Sequence, residues 1–296
     1  MKNFIKIISL NAIFLFSINA FAGREIYISE GNSEPMPIAI NYFASNSSKA
    51  SAIAENITEV ISKDLGTCGF FKIIPKAAYI ENKIGINHRP LFASWRQIKA
   101  QLLLNGEVSL NGDKISIAFK VWDTSLEKYI HGERLELSSS LWRRAAHKIA
   151  DTIYERVTGD KGYFDTRIAY IAESGPQQKK IKKLAVMDFD GENHKYLTDG
   201  RNLVLTPRFS PDASKILYLA YIKYKPRVYL KDIKTGRESI VGDFPGISFA
   251  PRFSPDGTRA LMSIARNGAT NIVEVDLRTK KARKLTDNFA INTSPS

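Results

Sequence analysis

Two hydrophobic periods divide the chain. Before about residue 160, apolar residues recur at helical spacing in two stretches. Ile53, Ile57, Val60, Ile61 and Leu65 form one stripe within 47–65, three and four residues apart as on one helix face. Gly66 follows it in the place of a C-cap. Ala145, Ile149, Ile153 and Val157 form the second stripe, in a helix expected to start at a capping Ser140 and to stop at Gly159. Strand-like runs cover 37–43 and 70–74, and 95–100 reads as a short helix. Residues 102–110 and 114–122 flank Asn111-Gly112-Asp113, a strong hairpin signal, and 129–137 is the next strand. Residues 24–31 alternate apolar and polar, as in an edge strand or a free segment that becomes a strand on a partner. The order predicts a compact α/β domain over 23–160, with a mixed sheet and helices packed on it.

After residue 160 the pattern changes to short strands on a fixed beat. Pro207-Arg208-Phe209-Ser210-Pro211-Asp212 returns as Pro251-Arg252-Phe253-Ser254-Pro255-Asp256-Gly257, a step of 44 residues (251 − 207). Asp188, Asp232 and Asp276 keep the same step, and so do Leu197, Val241 and Leu285. Proline at the second place of a four-residue turn presets φ, and glycine at the fourth suits a type I turn. The first copy has Ala213 there and must close without glycine. Each period holds four strands, for example 208–210, 215–223, 227–233 and 238–241. This is the signature of a β-propeller blade. The recurring aspartates are read as turn or strand-end acceptors rather than metal ligands.

Composition adds bounds. Hydrophobic residues are 44% of 296, enough for a sizeable core. The net charge of +13 comes from scattered Lys and Arg with no nucleic-acid motif, so nucleic acid is not an expected partner. Lys2 and Lys6, an apolar 7–16 and Ala20-Phe21-Ala22 read as a secretory signal over 1–22. Its apolar core is too short to span a bilayer, so direct membrane insertion is not expected. Cys68 is the single cysteine, which excludes an intramolecular disulfide; it is expected to pack as a small hydrophobe. No catalytic signature is present. His88, His131, His147 and His194 have no partner at ligand spacing, so neither a metal nor a cofactor is expected. Arg143-Arg144 and 179–183 read as solvated charge.

A signal peptide, a small α/β domain and Phe-Ser-Pro-Asp turns on this beat resemble the TolB family of the Tol–Pal system. Val157-Thr158-Gly159-Asp160-Lys161-Gly162 and Arg167-Ile168-Ala169-Tyr170 sharpen the resemblance. It implies an α/β amino-terminal domain followed by a six-bladed propeller, in a non-catalytic periplasmic adaptor. It also implies two partners. One is TolA of the inner membrane, engaged by the segment matching Arg24, Glu25, Ile26, Tyr27 and Ile28. The other is the peptidoglycan-associated lipoprotein Pal, faced by the propeller mouth. The mouth loops match 244–250 and 288–294, with Phe244, Pro245, Ile247, Ala250 and Thr293 as candidates. The implied role is support of outer-membrane integrity and of invagination at cell division. Only about half of a six-bladed ring is expected over 161–296, from a fragment or a shortened reading frame. Two other readings stay open. One is the gate of a serine peptidase whose catalytic part is missing; the other is a propeller for small ligands or glycans.

Overall fold

A computed structural model describes residues 34–82 and 85–296. The expected signal peptide and the segment from Arg24 to Ile28 lie outside the described residues.

The first part is a mixed sheet covered on both faces. Its strands are β1 (Met36–Ile40), β2 (Ala44–Ser45), β3 (Phe71–Ile73), β4 (Leu102–Asn111), β5 (Lys114–Asp123) and β6 (Lys128–Ser138). The order is β3-β1-β4-β5-β6, with β2 also on β4. β1 runs parallel to β3 and β4, and the β4–β5–β6 meander is antiparallel. Helices α1 (Ser48–Thr67) and α3 (Trp142–Thr158) cover one face. Ile57, Ile61 and Leu65 of α1 meet Ile149 and Ile153 of α3 over Ile38, Ile40, Leu104 and Phe119. Fully burying each such side chain stabilises the fold by about 1.5–3 kcal/mol. Ala39 and Leu103 point the other way, as strand alternation requires. They pack with Tyr79 and with Trp95 of α2 (Phe92–Gln97). The Trp95 indole N–H donates to Glu81 Oε2 at 2.8 Å. Burial raises the Tyr79 phenol to about 12; its hydroxyl donates to Ile74 O at 3.0 Å and accepts from Ile40 N–H of β1 at 2.9 Å.

Helix ends depart from the expected caps. Ser47 caps α1 by accepting from Ala50 N–H. Gly66 lies inside that helix, and the left-handed glycine beyond it is Gly69, φ 80°. Ser140 falls in a 3₁₀ turn (Ser139–Leu141), so α3 starts without a side-chain cap. Gly159 does end α3, with φ 82° and its N–H on Glu155 O. Cys68 is half-buried against the core and donates its S–H to Leu65 O.

The second part is three antiparallel sheets. The first is β7 (Arg167–Ser174), β8 (Ile181–Asp188) and β9 (Lys195–Tyr196). The second is β10 (Leu203–Phe209), β11 (Lys215–Ile222), β12 (Lys225–Asp232) and β13 (Glu238–Ile240). The third is β14 (Ile247–Phe253), β15 (Arg259–Arg266), β16 (Ala269–Asp276) and β17 (Ala282–Lys284). They pack face to face as blades of a partial β-propeller. Ile216, Tyr218 and Ala220 of β11 meet Leu184 and Val186 of β8. Leu217, between them, faces Ala260 and Met262 of β15. Cover on both faces makes β11 a continuous apolar run rather than an alternating strand.

The Ser-Pro-Asp turns close as the sequence predicts. Ser254 O accepts from Gly257 N–H at 2.9 Å, and Ser210 O from Ala213 N–H at 2.8 Å. Hydrogen bonds from Ser210 and Ser214 hold the Asp212 carboxyl down at about 2. Asp232 and Asp276 accept from Thr235 and Thr279 in the second turn of their blades, the acceptor role read for them. Ala213 sits at φ 53°, where an L-residue loses roughly 1–2 kcal/mol. Glycine's extra freedom in the unfolded chain offsets part of any gain there. Ala213→Gly is expected to raise stability by up to ~1 kcal/mol. The check is a higher urea midpoint at an unchanged slope.

Candidate functional site

The strands of each blade run between two ends, and the ends differ. At one end lie the Ser-Pro-Asp turns. A cleft there is lined by Arg143 and Arg144 of α3 and by Pro211 and Ala213 of the β10–β11 turn. The helical layer therefore meets the blades at their turn end. Strand pairing places Leu203 beside Tyr221, and Ile247 beside Ala265, at the opposite end.

That opposite end is an apolar rim. Leu203 opens β10, and Ile247 opens β14 one period later. Ile291 follows after another 44 residues (291 − 247) and forms a parallel bridge with Thr270. Tyr224, between β11 and β12, and Phe289 join them. These five side chains are between 41 and 98% exposed. Single exposed apolar residues need no explanation, but a set recurring at one end of an array is a candidate contact surface.

The backbone beneath the rim is strained on the same beat. Thr206, Ala250 and Ser294 have φ of 49°, 47° and 55°, each just before a proline. The β10–β11 and β14–β15 registers shift there. A left-handed β-branched residue is uncommon and persists only where its surroundings enforce it. The loop into β14 is held by Arg227, which donates from Nε to Asp243 Oδ1 at 2.7 Å and from Nη1 to Gly246 O at 2.8 Å. Gly246 has φ 102°, and a Cβ there would collide with the Ala265 carbonyl. Arg227 holds the Asp243 carboxyl below its ordinary range. Lys223, Lys225 and Arg266 share this end with no carboxylate partner among the described residues. The rim is apolar with a basic margin.

The mouth candidates fall on this end, but not at one point. Phe244 and Pro245 line a cleft of about 400 Å³ with Ile264 and Val273. Ile247 is on the rim itself. Ala250 is half-buried at the strained position, and Thr293 is exposed in the last loop. Leu203, Tyr224, Phe289 and Ile291 were not among the candidates. Leu203 and Ile291 carried a usable signal, being one period either side of Ile247.

Two of the residues read as bland have partners. His147 is buried against Asp64, and Arg143 pairs with Asp188 and Asp190 rather than facing solvent. Among the described residues no helix is long and apolar enough to cross a membrane.

The model of a family described as the TolB beta propeller domain matches residues 154–296. The model of the TolB amino-terminal domain matches residues 24–130. The chain belongs to the TolB family. A Rickettsia bellii relative named Tol-Pal system protein TolB is 57% identical over 271 residues, covering 91% of this chain and 60% of its own length. The protein of that name from Rickettsia conorii is 56% identical over 259 residues, covering 87% and 58%. The crystal structure of TolB from Acinetobacter baumannii superposes with a TM-score of 0.74 at 28% identity, over 87% of this chain and 62% of that one. The chain thus spans about 60% of the length of the TolB relatives it matches. In fold it agrees with the family: a mixed-sheet amino-terminal part followed by propeller blades.

Proposed function

We propose that this chain is a non-catalytic periplasmic adaptor of the Tol–Pal system, joining a TolA-like inner-membrane protein to a Pal-like lipoprotein of the outer membrane. Through that link it supports outer-membrane integrity and invagination during cell division. The observation that carries the reading is the apolar rim repeated every 44 residues at the end of the blades away from the helical layer. Burying each rim side chain under a partner yields up to about 1.5–3 kcal/mol. The basic margin favours a partner with acidic groups around an apolar centre. Phe244, Pro245, Ile247, Ala250 and Thr293 are the Pal-facing residues in this reading. Arg24, Glu25, Ile26, Tyr27 and Ile28 are the TolA-facing segment, which adds as a strand to its partner.

The test is co-purification of the intact mature chain with tagged TolA and Pal homologues from one species. Capture of Pal by the wild-type chain and of TolA only when residues 24–28 are intact is the expected result. Recovery of neither partner overturns the reading.

A further inference from the structure

The helical layer and the first blade meet in a buried ionic cluster. His147 of α3 points its Nδ1 at Asp64 Oδ2 of α1, 2.6 Å away. A carboxylate there fixes the ring tautomer, with the proton on Nδ1 and the lone pair on Nε2. Among the described residues that Nε2 is buried without a hydrogen-bond partner, and so is Asp64 Oδ1. Two buried acceptors left unpaired in one place point to a missing group. One ring nitrogen of His147 and one oxygen each of Asp188 and Asp190 lie within 4.8 Å of one another. With Nδ1 engaged by Asp64, Nε2 is the nitrogen free to bind.

The carboxylates are themselves held from outside. Asn193 Nδ2 donates to Asp188 Oδ2 at 2.6 Å, and Glu192 N–H donates to Asp190 Oδ1 at 3.2 Å. Arg143 binds Asp190 and reaches Asp188 at 3.7 Å. Lys63 approaches Asp190 at 3.8 Å but is half exposed. Three carboxylates against one enclosed guanidinium leave two negative charges, the charge of one divalent cation.

We propose that this junction is a zinc-class metal site, with His147 Nε2 and the carboxylates of Asp188 and Asp190 as ligands and Asp64 orienting the imidazole. One imidazole with two carboxylates suits zinc better than calcium or magnesium, which take oxygen ligands. Zinc bonds of about 2.0–2.2 Å bring donor atoms to roughly 3.4 Å apart. Donor atoms that lie within 4.8 Å of one another draw in to that spacing on binding. Arg143 stays on the outer oxygens, the place of groups that hold ligating carboxylates. The ion fastens α3 to the turn after β8.

Zinc chloride titrated into the chelator-stripped full chain tests this, by calorimetry and by thermal unfolding. One zinc per chain is expected, with a dose-dependent rise in Tm that magnesium does not reproduce. His147→Gln and Asp188→Asn should each weaken binding at least ten-fold. Asp64→Asn, which touches no metal, should weaken it about 10–100-fold. Circular dichroism checks that each variant is folded. The wild-type titration is decisive by itself: no stoichiometric zinc overturns the site. Equal binding by folded His147→Gln and Asp188→Asn assigns the zinc to surface histidines and overturns it too.

Discussion

Gly106→Ala is expected to destabilise the protein by about 3 kcal/mol, at the upper end of what overpacking a core costs. Gly106 is buried in β4 and pairs with Phe119 across to β5. A Cβ there would lie 2.5 and 2.6 Å from atoms of the Phe43 ring. Phe43 belongs to the core between the sheet and α1 and is only 3% exposed. Urea unfolding of the single variant gives the loss directly. Phe43→Leu should recover part of it in the Gly106→Ala background, although it destabilises the wild-type chain. A double-mutant cycle with no coupling between the two positions would show that the ring is not the obstacle.

The second large effect concerns the rim. Replacing Leu203, Ile247 and Ile291 together by serine is expected to weaken capture of the Pal-like partner by about 100-fold or more. Each side chain forgoes on the order of 1 kcal/mol of apolar burial, and 1.4 kcal/mol is a tenfold change in affinity. All three are exposed in the free chain, so the far-ultraviolet spectrum and Tm should change little. Arg237→Ser, at the turn end of the second blade, is the matched control and should leave binding intact. Unchanged affinity in the folded triple variant would remove the rim from the docking surface.

The blades were legible because their punctuation is local. A Ser-Pro-Asp turn specifies its geometry within four residues, and the beat then repeats it. Ala213 shows the limit of that reading, since its left-handed φ is imposed by the strands it joins. The helix stripes located α1 and α3 for the same local reason. Their ends were less legible: Ser140 could serve as a cap, but its segment was drawn into a 3₁₀ turn, and α1 ran past Gly66 into Thr67. Loops 244–250 and 288–294 lie at the rim end, but of the five exposed rim side chains only Ile247 was among the candidates. Exposure depends on what packs above a side chain, and hydrophobicity alone predicts burial for Leu203 and Ile291. The cluster around His147 had no local signal. Asp64, His147 and Asp188 are separated by scores of residues, and only the docking of α1, α3 and β8 brings them together.

The direction of the strands has a mechanical consequence. They run from the rim to the end where α3 is seated, and antiparallel hydrogen bonds lie across that direction. A pull applied between the two ends would load the bonds of a strand pair simultaneously, in shear. A sideways pull would peel them singly. A load applied between the rim and the helical end would thus meet the sheets along their stiffest axis.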